Sequence, residues 1–559
     1  MGRWAGVLLL ACALLPFAAS RNYPFVHDDH DLRGPGSLVA DPRADLLLLL
    51  RADPFGSVER PWGHSGFWRP AVLLLMRAEW WLTDGAELPT AWLAHLVSLG
   101  LHALCTFAVA WLLMAIAWPV ALAVGVAAVF AVHPVHVESV AWMSAYGDTG
   151  GAACGLLGAS ALVAARRRRD EVVSAGLLLL ALFFKESSLL LVVLAGALAW
   201  GAGQPLRRAV AAPLAALLLY AGLRALAFEG GIDPAAFSGP TEAATRWLTW
   251  LSILPDVVRL SVFPGAATPL HPVAPATGIS APGVLPGALV LALLLALSAA
   301  AAWRRSPGGL LASLSMFGSM LLLAPWTRVA TGFPELSAPL YERHLYVAAL
   351  AAPAALGLVL RGPAERAPRR TLAAVLLLVI PLGFATHARL EPWRSDEAFA
   401  RAGLAAAPES ATLWNHLGVA RLAALRDEGD AAAGREALAA FERALELDPG
   451  ALLPSLNRFI ALASLGREDD AATAAAHLVQ RFAREPAVLD NVAHWHLAEG
   501  RHEQAAELFA REIETGRPLP GADEALGECL HELQRADRGS GKDASRARPP
   551  EAAGAEGGT

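Results

Sequence analysis

Apolar residues run along this chain in long blocks rather than alternating with polar ones, so the pattern predicts helices and not strands. The first block, Trp4–Ala19, follows Arg3. Others follow at Ala91–Ala117, Pro119–Val132, Gly150–Ala165, Val172–Phe184, Ser187–Gly203, Val210–Phe228, Val284–Trp303, Gly309–Leu323, Tyr346–Leu360 and Leu372–Thr386. A helix crosses a bilayer core with ~20 apolar residues, so the blocks predict about eleven spans, the shorter ones borrowing flanking residues. The stretch Trp247–Phe263 is broken by Pro255, Asp256 and Arg259 and reads as interfacial or re-entrant. Ala18-Ala19-Ser20 resembles a signal-peptide cleavage site, but the first block is read as a retained span.

The pattern changes near residue 390. From 391 to 535, short amphipathic helical stretches alternate with polar turns. The clearest unit carries Trp414, Leu417, Gly418, Ala437, Phe441, Ala444 and Pro449, and resembles a tetratricopeptide repeat lengthened around Arg426–Gly434. Weaker units follow at Gly466/Ala471 and Gly500/Ala505/Phe509, making about three repeats. Small Gly418 and Ala437 allow the paired helices to approach closely. Residues 536–559 are rich in Gly, Ala and charge, and read as a disordered tail. The expected fold is therefore all-α: a polytopic transmembrane domain over 1–390, then an α-solenoid over 391–535.

Composition adds three points. Of 559 residues, 55% are hydrophobic, and the net charge of -6 comes from acids concentrated in the second half. No basic tract carries interleaved aromatics, so nucleic acid is not an expected partner. The four cysteines, Cys12, Cys105, Cys154 and Cys529, form no disulfide or zinc pattern. Lysine occurs only at Lys185 and Lys542 while Arg and Ala abound, a bias that points to a GC-rich bacterial genome.

Charge placement sets the expected orientation. Arg166–Arg169, Arg207-Arg208, Arg304-Arg305 and the segment Arg361 to Arg370 fall on one side if the first block runs outward and Trp247–Phe263 does not cross. That side is the cytoplasm, which puts the N-terminus inside and the repeats outside a bacterial inner membrane. Five polar signatures then share the outer side. They are His27-Asp28-Asp29-His30-Asp31, Trp68-Arg69-Pro70, His133-Pro134-Val135-His136-Val137-Glu138, Lys185-Glu186-Ser187 and Tyr341-Glu342-Arg343-His344-Leu345-Tyr346. Charges at span ends are costly unless they line a wet cavity or pair, which makes them functional candidates. Each also has a bland reading, as a solvated turn, an interfacial anchor or a Lys185–Glu186 ion pair. The His-rich acidic run His27, Asp28, Asp29 and His30 has ligand types suited to a divalent metal.

In this order the signatures resemble the transmembrane and tetratricopeptide-repeat protein O-mannosyltransferases, and more broadly the GT-C class of glycosyltransferases that use lipid-phosphate sugars. The resemblance implies a polyprenyl-phosphate-sugar donor and an exported protein acceptor that reaches the enzyme through the repeats. One departure stands out: where the family has Gly-Arg-x-Asp, this chain has Ala145-Tyr146-Gly147-Asp148, which removes an expected donor-phosphate contact. The expected catalytic residues are Asp28, Asp29 and Glu138, with Glu138 holding His136 or the acceptor. Arg69, His133, His136, Asp148, Lys185, Glu186 and Arg343 are expected to bind the donor. A cation beside the leaving phosphate offsets its developing charge, and a carboxylate within hydrogen-bond reach accepts the acceptor's proton. A non-enzymatic repeat scaffold in the membrane is the competing reading. A transporter is disfavoured, because its charges belong near mid-membrane.

Overall fold

In a computed structural model, the residues described are 2–34, 37–56, 67–83, 86–227, 243–263, 265, 268–323, 340–516, 519 and 521–544. Among them all regular secondary structure is helical, apart from one isolated bridge between His271 and Leu340. It divides into two compact units, Met1–Pro408 and Glu409–Thr559.

The first unit is a bundle of apolar helices. Among the described residues, five helical segments are long and apolar enough to cross a membrane: Arg3–Asn22, Thr90–Ala115, Leu206–Ala227, Val284–Trp303 and Pro368–Trp393. A sixth span arises if Val120–Ala131 and Pro134–Ala141, bent by 51° at their break, count as one. The expected count of about eleven is therefore not supported. Pro134 breaks one apolar run, Lys185-Glu186 separates two others, and Glu186–Gly201 and Pro307–Leu321 are too short to span alone. Trp247–Phe263 falls mostly within one helix, Ala243–Val262, that carries Pro255. Leu285, Leu289 and Leu293 on helix Val284–Trp303 are each more than half exposed. So large an apolar surface on one unit fits a lipid environment rather than water.

Glycine sets the spacing at the centre of this bundle. Helix Tyr146–Val163 carries Gly147, Gly151 and Gly155 one turn apart, facing the 184–191 segment. A Cβ on Gly151 would lie 2.4 Å from the Ser188 hydroxyl, and one on Gly155 would lie 2.7 Å from the Leu191 side chain. Small residues at such a seam let backbones approach closely in a membrane. The same approach brings the end of helix Arg168–Phe184 against the first turn of Tyr146–Val163.

The two ends of the bundle differ in chemistry. At one end Gln204 donates to the Val163 and Ala165 carbonyls, Arg208 pairs with Glu171 at 2.7 Å, Arg305 lies over Trp200, and Arg361 donates to the Ala117 carbonyl. All four arginine clusters therefore belong to one end. The polar signatures fall at the other helix ends.

Among its described residues, the second unit has three helix hairpins and a closing helix. The hairpins are Ala411–Glu428 with Ala431–Leu447, Leu452–Ser464 with Glu468–Arg481, and Pro486–Ala498 with His502–Glu514; helix Ala522–Ala544 follows. Gly429, Gly466 and Gly500 close the hairpin turns at φ of 71°, 69° and 71°, where a side chain would be strained. A Cβ on Gly418 would lie 2.4 Å from the Phe441 ring, the close approach its pattern implied. Phe459, Val488, Val492 and Phe509 form the core shared by the later hairpins. The final helix continues through 536–544, part of the segment read as a disordered tail, while 545–559 lie outside the described residues. Helix Asp396–Ala406, assigned to the repeats from the sequence, lies within the first compact unit.

Candidate functional site

The site begins at the turn after the first span. His27 adopts a positive φ of 57°, an uncommon conformation for a residue with a side chain, and helix Asp29–Arg33 starts just beyond it. This strained turn splits the aspartate pair. The Asp29 carboxylate points inward and accepts from the Ser144 amide at 2.7 Å, the Ser144 hydroxyl at 2.5 Å and the Val26 amide at 3.3 Å. Burial outweighs these donors and pushes its pKa up to about 6. Asp28 is part-exposed, and its carboxylate lies 3.2 Å from His27 Nε2. Burial, then the Arg343 charge, push the His27 pKa down to about 4, so the ring is neutral at pH 7 and this contact is not an ion pair.

Helix Asp396–Ala406 fastens the turn from outside. Asp396 accepts from the His27 amide at 2.9 Å and lies 2.9 Å from His30 Nε2. The Phe399 ring stacks on His27 at 4.9 Å, and Trp393 stacks on Trp142 at 5.8 Å.

The other signatures join through ion pairs. Glu138 pairs with the Arg343 guanidinium and accepts from the Arg343 amide at 2.9 Å. That guanidinium lies over Tyr341 at 3.9 Å and over Trp142 at 5.0 Å, and His27 stacks on the same Trp142. Lys185 pairs with Asp148 at 2.6 Å, the contact that Gly147 permits, with its missing Cβ 2.9 Å from the Phe184 carbonyl. Glu186 turns away from Lys185: it accepts from the Trp68 amide at 2.8 Å and pairs with Arg69 at 3.0 Å. Asp148, Arg343 and Ser187 line one cavity of about 20 Å³, room for a water, which widens to about 370 Å³ counting its mouth.

Three expectations change. Glu138 does not hold His136, because Arg343 takes both of its oxygens. His136 is fully buried between Phe130, Tyr346 and His102, and neither ring nitrogen has a hydrogen-bond partner among the described residues. His133 is also buried, its Nδ1 accepting from the Val135 amide. Burial away from water without a carboxylate partner disfavours imidazolium, so neither histidine suits the role of cation at the phosphate. The third is the metal. Among the described residues no three His, Cys, Asp or Glu side chains gather around one point, and Asp29 and His30 are drawn to Ser144 and Asp396 respectively. His27, Asp28, Asp29 and His30 therefore do not fit a shared ion.

Several partners carried no signal in the sequence. Arg389 and His271 both pair with Glu342, and Arg33 pairs with buried Glu79 at 2.5 Å. Tyr146, at the position of the family arginine, donates to Glu79 at 2.7 Å and lies under the Arg33 guanidinium, 5.1 Å from its ring centre. A guanidinium is thus supplied nearby from a different helix.

No protein-family model matches the chain. Over 158 residues it is 33% identical to "Protein O-mannosyl-transferase Tmtc1" of Drosophila melanogaster. That stretch covers 27% of this chain and 17% of the fly protein. The chain therefore has partial similarity to an O-mannosyltransferase. Among solved structures, a chain of the APC/C hetero-tetramer Cut9-Hcn1 aligns over 83% of this chain and 95% of its own length, at 13% identity and a TM-score of 0.23. A score that low carries no argument.

Proposed function

We propose that the protein is a membrane glycosyltransferase that moves a sugar, mannose by resemblance, from a polyprenyl phosphate to Ser/Thr hydroxyls of exported proteins. The observation that carries this reading is the joining of five separated signatures at one end of the bundle, opposite the arginine loops. By the positive-inside rule that end faces out of the cytoplasm of a bacterial inner membrane. The donor phosphate sits at the mouth of the Asp148/Arg343 cavity, where Arg343 and Lys185 offset its charge. Arg69 and Glu186 hold the adjoining segments together. The acceptor oxygen attacks the anomeric carbon as the bond to the phosphate oxygen breaks, and polyprenyl phosphate leaves with the electron pair. Asp28, the more exposed aspartate, takes the hydroxyl proton, while Asp29 anchors the turn. A single displacement inverts the anomeric centre. The repeat unit offers a surface for an extended acceptor segment.

The test incubates the purified full chain with polyprenyl-phosphate-mannose and Ser/Thr peptides and weighs the products. The reading expects a hexose adduct that Asp28→Asn abolishes. If the native chain forms no adduct with any lipid-phosphate sugar, the scaffold reading stands instead. If Asp28→Asn transfers at the native rate, the assignment of the base is wrong.

A further inference from the structure

At the bundle end away from the candidate site, an apolar groove of about 550 Å³ opens on the surface. Trp111 and Met114 form one wall, Leu157 and Ala161 the floor, and Leu177 the other wall. They come from three neighbouring helices, Glu87–Ala115, Tyr146–Val163 and Arg168–Phe184. Ala164 also lines the groove, and two residues further along the chain comes Arg166–Arg169, all four exposed. Carboxylates offset this charge only in part: Asp170 lies 3.4 Å from Arg169, and Glu171 pairs with Arg208 at 2.7 Å. Residues 166–171 with 207–208 hold six arginines and two acids. The Asp170 carboxylate also accepts from the Arg166 and Arg167 amides at 2.9 Å, while the Arg166 and Arg168 side chains have no carboxylate partner among the described residues. On the opposite wall Arg361 donates to the Ala117 carbonyl, just beyond the helix that carries Trp111.

We propose that this groove and the arginine run form a binding site for one anionic phospholipid, with an acyl chain along Trp111, Leu157 and Ala161 and the phosphate against Arg166–Arg168. The reason is the joint placement. A groove alone accepts any acyl chain and reads no headgroup. An exposed arginine run alone attracts any anion, with strength that fades within a Debye length. Chain and headgroup together are the two signals that make membrane-surface binding durable. A choline headgroup carries its own cation and loses the second signal. The site uses none of the residues assigned to sugar transfer, so it stands or falls separately from that reading.

The test uses the purified full chain in detergent and counts bound lipid by native mass spectrometry. Phosphatidylglycerol and phosphatidylcholine with identical acyl chains are compared. The expected result is a single phosphatidylglycerol held on the order of a hundredfold more tightly, with each arginine worth about fivefold. Arg166→Gln should weaken it by about fivefold, and the triple change Arg166→Gln, Arg167→Gln, Arg168→Gln should bring it to the phosphatidylcholine level. Ala161→Phe, which fills the floor, should weaken both lipids, and glycerol phosphate should not displace the bound lipid. Equal affinity of the native chain for the two lipids overturns the proposal without recourse to any variant. Unchanged binding in the triple variant overturns the headgroup contact. Unchanged binding in Ala161→Phe, or displacement by glycerol phosphate, overturns the acyl seat.

Discussion

Glu138→Gln tests the pair that ties the third signature to the fifth. Glu138 is 3% exposed and the Arg343 side chain 15%, so both charges sit where water screens them little. The carboxylate accepts the Arg343 amide on one oxygen and holds the guanidinium with the other. Glutamine can keep the first contact but turns an NH2 toward the guanidinium. Removing one member of a buried pair costs ~3–5 kcal/mol, because the remaining charge is left uncompensated. The retained amide contact and the Tyr341 and Trp142 rings around Arg343 place the loss near the lower end, about 3 kcal/mol. The assay is a denaturant titration of the purified chain in detergent, run alongside Arg343→Met and the double variant. If the pair is intact in the native protein, the double variant is more stable than the two single losses summed predict, by roughly 1–3 kcal/mol. A Glu138→Gln protein within about 0.5 kcal/mol of native, or losses that simply add, refutes the pairing.

Three further outcomes follow from the same geometry. Asp29 has a folded-state pKa raised to about 6, so the folded protein holds this proton more tightly than the unfolded chain; the stability this group contributes is fully present below about pH 4 and is lost as pH rises through about 6. Asp29→Asn should flatten that slope between pH 4 and 6 in a melting series, and an unchanged slope removes Asp29 as its source. Gly151→Val places a Cβ 2.4 Å from the Ser188 hydroxyl and should lower stability by about 1–3 kcal/mol, with transfer falling as Lys185 parts from Asp148; native-like melting and transfer contradict the seam. Asp396→Ala releases the His27 amide and His30, and should lower the transfer rate while leaving donor affinity close to native, whereas Asp396→Asn, which keeps a carbonyl acceptor, should recover part of the rate; equal loss of donor binding would make Asp396 a donor contact instead.

Local pattern made some of this legible and not the rest. Apolar block length found the helices, and Gly418 with Phe441 foretold the first repeat hairpin. Block length failed on span number, because it counts blocks shorter than a bilayer core, such as Val172–Phe184 and Ser187–Gly203 on either side of Lys185-Glu186, as spans of their own. The signatures were visible as motifs, but their pairing was not. Lys185 and Glu186 are adjacent in sequence yet take different partners: Lys185 is extended, at φ -162° and ψ 136°, between the helix end and the 3-10 turn that Glu186 begins. His136 is expected to bind the donor because of its neighbours in the chain; its neighbours in space, Phe130 and Tyr346, make it a buried packing group. Asp396, Arg389 and Arg33 contribute through long-range contacts with no local periodicity, which only the fold reveals.

The account rests on the arginine loops and the polar signatures facing opposite sides of a membrane. Single cysteines at Asn22 and Arg394, beside the signatures, and at Arg168 and Arg304, in the arginine loops, can be probed with a membrane-impermeant maleimide on intact cells; the native cysteines are all buried and give little background. Labelling of positions 22 and 394 in intact cells, with 168 and 304 reacting only after the membrane is opened, is the predicted result. Reaction of 22 and 394 from opposite compartments, or of all four from the same one, would contradict it.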